Sequence, residues 1–231
     1  MFDRRPPCPG DPRDYTWVKS TERPHWRLKR GLVTKAALNG SFRASNDNTK
    51  VVSPAAGRVR KAIAPFLRGI NTGRLNNRIS SAFRKSLKEK GQLELHYLEG
   101  MDMQKEHLLD QMLWCDYRAR VSEKSIVIEI PVEKGSVKAL NPLVTDYYFE
   151  AVILFGDAAR ERGLDTMSVD SKLYSYHSDQ HELCVLTLPL PEEDWCLFLK
   201  VNSLEGNELA VHTKHYRMKA ISANGGKMFT P

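Results

Sequence analysis

The sequence lacks a long apolar run, and its opening residues lack an apolar segment. No run approaches the roughly 20 apolar residues that a membrane-spanning helix needs. The opening residues, MFDRRPPCPGDPRDY, contain no apolar core of the kind found in secretory signals. We therefore expect a soluble, cytoplasmic protein without a membrane span, although a protein exported by a dedicated machine would have the same features.

Cysteine is scarce, and its spacing excludes the common zinc motifs. The four cysteines, Cys8, Cys115, Cys184 and Cys196, form no CxxC pair. We expect reduced thiols, because an intracellular protein seldom carries disulfides. Cys184 and Cys196 are the pair that neighbouring strands could bring together in an oxidising compartment.

Two pairs of histidines are close in sequence, but neither pair predicts a metal centre. His177 and His181 flank a short polar loop, where histidines are usually solvated. His212 and His215 are three residues apart, and on a strand such positions face opposite sides. Although four converging imidazoles would bind zinc, we expect no metal and no other cofactor.

Catalytic motifs are also absent. The sequence contains no G-x-S-x-G, no GxxxxGK[ST] and no GxGxxG. The acidic group Glu192, Glu193 and Asp194 follows two prolines and is predicted to be a solvated loop tip, not an acid–base pair. We therefore predict a protein without enzymatic activity, and an enzyme with a site on the loops of the β-rich body is the weakest alternative.

Acidic residues are rare in the first part of the chain. Residues 1–90 hold 21 Lys and Arg against 6 Asp and Glu, a net charge of +15. The remaining residues hold 14 basic and 22 acidic residues, a net charge of −8. Such asymmetry indicates a basic segment that meets an acidic partner, nucleic acid or the acidic half of the same protein.

A basic helical pair is predicted over residues 53–91. Ser53 and Pro54 form a helix start signal, Pro65 should kink the first helix, and Gly91 is a suitable residue after the second helix. Apolar residues at three- and four-residue spacing define one face of each helix. These residues are Val59, Ile63, Phe66, Leu67 and Ile70 in the first helix, and Leu75, Ile79, Phe83 and Leu87 in the second.

Residues 1–52 are predicted to form an extended, partly disordered basic arm. Prolines at five positions and the polar run SFRASNDNTK argue against a packed domain. Trp17 and Trp26 are the exceptions, and we expect them to anchor the arm on a surface. Basic residues that alternate with Trp26 would also suit stacking on bases and contact with phosphates.

Residues 92–222 are predicted to form the β-rich body, followed by a flexible tail over 223–231. After a strand at 93–98 and a short helix at 103–113, seven β-rich segments are separated by polar turns. They are Cys115–Val121, Ile126–Ile130, Tyr147–Phe155, Leu173–Tyr176, Leu183–Leu188, Trp195–Val201 and Tyr216–Ile221. The predicted fold class is α+β, with an immunoglobulin-like antiparallel sandwich of about seven strands. An open barrel is the alternative.

The run SFRASNDNTKVVSPAAGRVRKAIAPFLRGINTGRLNNRISSAFRKSL, followed by LEGMD, resembles a loose family of uncharacterised bacterial proteins. In that family a polar segment leads into basic helices, a short turn and a β-sandwich, and Met101 stands where an aromatic residue is usual. WCLFLKVNSLEGNELAVHTKHYRMKAISA is similar to the last strands of the family. The resemblance covers about residues 40–222 and implies the architecture alone, because the family has no assigned activity.

The charge pattern leads to two functional hypotheses. The first is a non-enzymatic interaction or assembly protein, in which the basic arm and helical pair dock on an acidic protein or a second copy, and the sandwich is a scaffold. The second is a nucleic-acid-binding protein that uses residues 23–90. A purely solvated basic face, or one paired with the protein's own acidic body, is the structural alternative. The candidate binding residues are Arg23, Trp26, Arg27, Lys29, Arg30, Arg58, Arg60, Lys61, Arg68, Arg74, Arg78, Arg84, Lys85 and Lys88.

Overall fold

The computed structural model describes residues 8–18, 25–29, 40–179 and 181–223. Within these ranges, eleven strands form three antiparallel sheets and are accompanied by two α-helices. The predicted α+β class with antiparallel sheets is confirmed. The chain divides into two units, Met1–Asp47 and Asn48–Pro231. No helix in the described ranges is long and apolar enough to cross a membrane.

The described part of the first unit contains a two-stranded hairpin. Strands β1 (Tyr15–Val18) and β2 (His25–Leu28) pair so that Trp17 lies opposite Trp26. The two indole rings are edge to face, with centroids 5.1 Å apart. The tryptophans that were expected to anchor the arm on a surface therefore contact each other, and an ordered hairpin replaces extended chain here.

The second unit contains two larger sheets. Their strands are β3 (Arg118–Val121), β4 (Ser125–Val132), β5 (Asp146–Gly156), β6 (Leu164–Asp170), β7 (Tyr174–Ser175), β8 (Glu182–Pro189), β9 (Trp195–Glu205), β10 (Glu208–Leu209) and β11 (Tyr216–Ala223). A three-stranded sheet has the order β3-β4-β8, and a six-stranded sheet is built around β5 and β9. Strand β9 pairs with β5 along one edge and with β10 and β11 along the other.

The six-stranded sheet is buried on both faces, which makes the unit a three-layer structure. Alternate residues of β9 enter different cores, because side chains on a strand point to opposite faces. Cys196 and Phe198 pack with the helices, whereas Leu197 and Leu199 pack with the three-stranded sheet. The unbroken apolar run at the start of β9 reflects this double burial. The cysteines of β8 and β9 consequently lie in separate cores, and the described cysteines are all free.

The two helices are α1 (Gly40–Ala62) and α2 (Leu75–Lys90). From Val52 onward, apolar side chains of α1 join α2 and one face of the six-stranded sheet in a single core. Helix α1 begins at Gly40 and not at Ser53, so Pro54 lies inside it. The earlier start was not predicted because residues 41–50 carry no apolar stripe. A 3₁₀ turn, Ala64–Leu67, follows α1 where Pro65 was expected to disturb the helix.

Gly69 lies in the connection between the two helices, where the backbone approaches the large sheet closely. Its φ of +78° is in the left-handed region, and a Cβ at this position would lie 2.4 Å from the ring of Tyr216. Glycine is therefore required both by the backbone conformation and by the close approach to β11.

Two predicted elements at the start of the body are wrong, and two strands of the body were not predicted. Residues Leu95–Leu98 form a 3₁₀ turn instead of a strand, because Leu95 and Leu98 are both buried at helical spacing. The predicted helix at 103–113 is reduced to the 3₁₀ turn Leu109–Gln111. Each of the seven predicted body strands overlaps a strand of the structure, and β6 and β10 are additional.

Candidate functional site

The exposed side of α2 carries a row of positive charges. Leu75, Ile79 and Phe83 are buried against the sheet, and the basic side chains project from the opposite side of the helix. We call this row the α2 surface; its members are Arg74, Arg84, Lys85 and Lys88, all exposed. At 1.5 Å per residue the row extends for about 21 Å along the helix axis.

Most of these charges have no acidic partner among the residues that the structure describes. Across the described ranges, no carboxylate forms an ion pair with Arg74, Arg84 or Lys88. The same holds for Arg60 and Lys61, the exposed basic residues in the last turn of α1. Unpaired charges on a helix repel one another by a few tenths of a kcal/mol per pair. A bound anion would remove that repulsion.

Lys85 differs from the rest of the row because an aromatic ring lies beneath it. Its Nζ is 5.9 Å from the ring centroid of Tyr97. The hydroxyl of Tyr97 donates a hydrogen bond to Glu89 Oε2 at 2.8 Å, so the single carboxylate of α2 is already engaged. Desolvation and the bond to Glu89 both raise the pKa of Tyr97, which keeps its hydroxyl protonated.

Three acidic residues of the body that could neutralise the helices are engaged elsewhere. Glu150 Oε2 accepts a hydrogen bond from Lys200 at 3.0 Å, and Asp157 pairs with Arg160 at 3.1 Å. Asp194 Oδ2 accepts the backbone N–H of Leu95 at 2.6 Å. The prediction of a fully solvated loop tip is wrong for Asp194, which is half-buried and whose pKa is raised mainly by desolvation.

Three predicted binding residues, Arg58, Arg68 and Arg78, are not part of the α2 surface. Arg58 donates from Nε and Nη2 to the carbonyl oxygens of Ala158 and Ala159, each at 3.0 Å, and so fastens α1 to the loop after β5. Arg68 is exposed in the turn before Gly69 and lowers the pKa of nearby Lys200. Arg78 is half-buried and lines a pocket together with Arg74.

The remaining predicted residues belong to the first unit. Trp26 is half-buried in the hairpin against Trp17, and Arg27 and Lys29 beside it are exposed. Arg23 and Arg30 lie outside the described residues. The structure therefore brings together the α2 residues along one helix, whereas the hairpin residues form a separate set.

Two buried cations were not singled out from the sequence. Lys200 is 3 % exposed and lies on the helix-covered face of the six-stranded sheet, where Asn202 Nδ2 also donates to Glu150 Oε2 at 3.0 Å. Desolvation lowers the pKa of Lys200, with Glu150 acting in the opposite direction. The signal for this site was a single lysine within the otherwise apolar run WCLFLKV.

Arg217 is the second buried cation and lies on the other face of the same sheet. It is 3 % exposed, and its Nη1 donates to the carbonyl oxygens of Lys214 and Tyr216. Burial lowers the pKa of Arg217 to about 10. His215, 1 % exposed, has no hydrogen bond to either ring nitrogen in the described part of the chain, and desolvation lowers its pKa. Both groups are enclosed, which suits a structural role.

Metal ligands do not converge in the structure. Within the described ranges no group of three or more His, Cys, Asp or Glu side chains could hold a metal ion. His177 and His181 are in the loop before β8, and His212 and His215 flank a 3₁₀ turn, Thr213–His215.

Comparison of the chain with family models, curated proteins and solved structures gave no match.

Proposed function

We propose that this chain is a non-enzymatic interaction protein that binds an acidic segment of a partner protein through the α2 surface. The observation that carries the proposal is the row of exposed cations on α2, most of which have no carboxylate partner in the described residues. The three-layer unit beneath α2 serves as the rigid scaffold that holds the row straight.

The physical basis is electrostatic complementarity. An extended row of one charge raises the rate of association with an oppositely charged partner and fixes its orientation more than it adds affinity. Exposed ion pairs contribute about 0–1 kcal/mol each, so several cations must act together. Binding is therefore expected to weaken as the salt concentration rises.

An acidic protein fits this surface better than a single-stranded nucleic acid. Single-strand binding proteins stack bases on exposed aromatic rings. The one aromatic residue of α2 is Phe83, which is fully buried. Residues 23–47 and 48–90 also belong to two different compact units of the chain.

Nucleic-acid binding remains the second candidate, and the hairpin is the observation that favours it. Trp17 and Trp26 form a cross-strand pair beside exposed Arg27 and Lys29. Such a platform combines stacking with phosphate contact. On this hypothesis the hairpin would dominate binding, and Trp26→Ala would weaken it more than any change on α2.

The experiment compares three labelled probes by fluorescence anisotropy: poly-L-glutamate, duplex DNA and single-stranded RNA. The full chain is compared with a variant carrying Gln at Arg84, Lys85 and Lys88. A matched control carries Gln at Arg118, Lys124 and Arg162, three exposed basic residues of the body. We expect the α2 variant alone to lose poly-glutamate binding, by about tenfold or more, since each tenfold loss is about 1.4 kcal/mol.

If the chain binds DNA or RNA more tightly than poly-L-glutamate, and Trp26→Ala lowers that affinity, the nucleic-acid function replaces the proposal. If the α2 variant and the control lose the same amount of affinity for poly-L-glutamate, the loss is explained by the change in net charge and not by the α2 surface. Sedimentation of the wild-type chain alone tests whether a second copy, whose own body carries a net charge of −8, is the acidic partner.

The scaffold role requires only packed antiparallel sheets, so the immunoglobulin-like arrangement of about seven strands stays a prediction. The cytoplasmic location also stays a prediction. An enzyme with a site on the loops of the body is the remaining, weakest alternative.

A further inference from the structure

A pocket of about 740 Å³ lies between the first two turns of α2 and the segment that follows Gln104. Arg74, Arg78 and Lys105 supply three cations to its wall, and Asn77 and Ser81 supply an amide and a hydroxyl. Leu108 adds an apolar side chain. The volume is within the range of about 300–1,000 Å³ that small-molecule sites occupy.

The guanidinium of Arg78 is incompletely satisfied by the protein. Its Nη1 is closed to solvent and has no hydrogen-bond partner in the described part of the chain. A buried charged donor that has no acceptor destabilises the folded protein. Asp102 is close enough for Arg78 to lower its pKa, but the two side chains do not form an ion pair. The other guanidinium nitrogens of Arg78 also have no hydrogen-bond partner in the described part of the chain, but they are open to solvent, so an anion in the pocket would supply them with an acceptor.

The pocket carries little negative charge of its own. Among the described residues that line it, Glu106 is the single carboxylate, and Glu106 Oε2 accepts a hydrogen bond from Asn71 Nδ2 at 3.4 Å. Three cations against one acid leave a surplus of two positive charges. A phosphate monoester carries close to two negative charges at neutral pH, with oxygens that guanidinium groups bind bidentately. A phosphate group alone would leave most of the volume empty.

We infer that this pocket binds a small molecule that carries a phosphate monoester. Arg74, Arg78 and Lys105 hold the phosphate, while Asn77, Ser81 and Leu108 contact the organic part. The pocket shares only Arg74 with the α2 surface, because Arg84, Lys85 and Lys88 do not line it. Variants at Arg78 and Lys105 therefore test this inference separately from the proposed function.

The test is isothermal titration of the full chain with inorganic phosphate, glycerol 3-phosphate, adenosine monophosphate, glycerol and citrate. Variants Arg78→Gln and Lys105→Gln are compared with Arg84→Gln, a matched arginine on the same helix outside the pocket. Lys105 is exposed and makes no side-chain contact in the described residues, so its variant stays interpretable if Arg78→Gln fails to fold.

We expect saturable binding of at least one ester that is tighter than binding of inorganic phosphate or citrate, and no binding of glycerol. Affinity should fall about tenfold or more in each pocket variant, because a charge-assisted hydrogen bond is removed, and should be unchanged in Arg84→Gln. The inference is overturned if no phosphate compound binds saturably, if citrate binds as well as the esters, or if Arg84→Gln loses as much affinity as Lys105→Gln.

Discussion

Lys200 lies directly opposite Glu150 in the antiparallel pairing of β9 with β5, and its Nζ donates a hydrogen bond to Glu150 Oε2 at 3.0 Å. Both side chains are nearly enclosed, with 4 % of Lys200 and 13 % of Glu150 exposed. The pair sits between the two central strands of the large sheet. Together with Asn202, whose Nδ2 also donates to Glu150 Oε2, it forms a buried polar cluster in a largely apolar layer.

Removal of one member of this pair should destabilise the fold strongly. Glu150→Gln keeps the side-chain shape but removes the hydrogen-bonded countercharge of buried Lys200, which costs about 3–5 kcal/mol, less any compensation from Asp170 nearby. The double variant Glu150→Gln, Lys200→Met should recover most of this loss, because no charge then remains buried. Urea unfolding of the two variants and the wild type measures the difference. Additive losses in the double variant would show that the ion pair is not the coupled unit described here.

Phe83 should be the more important of the two helix phenylalanines. It is fully buried in the core between the helices and the large sheet, whereas Phe66 is half-buried at its margin. Phe83→Ala should cost about 3–5 kcal/mol of unfolding free energy, and Phe66→Ala distinctly less. Chemical denaturation of both variants tests the ranking. A loss within about 0.5 kcal/mol at Phe83 would mean that α2 does not pack as the structure has it.

The sequence predicted those parts of the fold in which local pattern and tertiary burial agree. Strands β4, β5, β8 and β9 were found because their alternating or continuous apolar residues match the faces that they bury. Strand β6 was missed because LDTMSVD is largely polar and lies at the margin of the sheet. The apolar helix faces were expected to pack on the body or on each other, but their position as a layer over the large sheet was not identified, although the unbroken apolar run of β9 already indicated burial on both faces.

The candidate site was predictable as a charge pattern but not as a geometry. Helical spacing alone placed Arg74, Arg78 and Lys85 along one line. In the structure this line is divided, since Arg74 and Arg78 line a pocket and Lys85 lies over Tyr97. The partners responsible, Lys105 and Tyr97, come from irregular segments whose positions depend on tertiary contacts that no local pattern encodes.

The buried carboxylate of Asp102 should make stability depend on pH in a defined direction. Desolvation is the main reason that its pKa is raised above the ordinary value of 3.8, although the N–H of Leu109 and the charges of Lys219 and Arg78 oppose the shift. The folded protein therefore binds this proton more tightly than the unfolded chain does. The resulting stability is complete below pH 3.8 and is lost as the pH rises through the raised pKa.

Asp102→Asn removes this titration while keeping an oxygen that can accept the N–H of Leu109. The variant should gain stability relative to the wild type between about pH 4 and pH 7, the window above the ordinary carboxylate pKa. Urea unfolding at several pH values measures the change. A stability difference that is constant over this window, or one that moves in the opposite direction, would contradict the assignment.

The helices should be required for the body to fold. Val152, Leu154 and Phe198 of the large sheet share a core with α1 and α2, so removal of the helices would expose this apolar face. Residues 48–231, which match the second compact unit, should unfold cooperatively in urea. Residues 92–231 should aggregate or unfold without a cooperative transition. Cooperative folding of the shorter fragment would mean that the helical pair is dispensable for the body.

The central claim is that the charges of the α2 surface serve an external acidic partner and not the protein's own body. It is tested most directly by reversing Arg84, Lys85 and Lys88 to Glu and measuring both the urea midpoint and the affinity for poly-L-glutamate. We predict that the urea midpoint is unchanged and that the affinity for poly-L-glutamate falls by about tenfold or more. A lowered midpoint with unchanged poly-glutamate affinity would contradict the claim, because the positive charges would then be serving the fold itself.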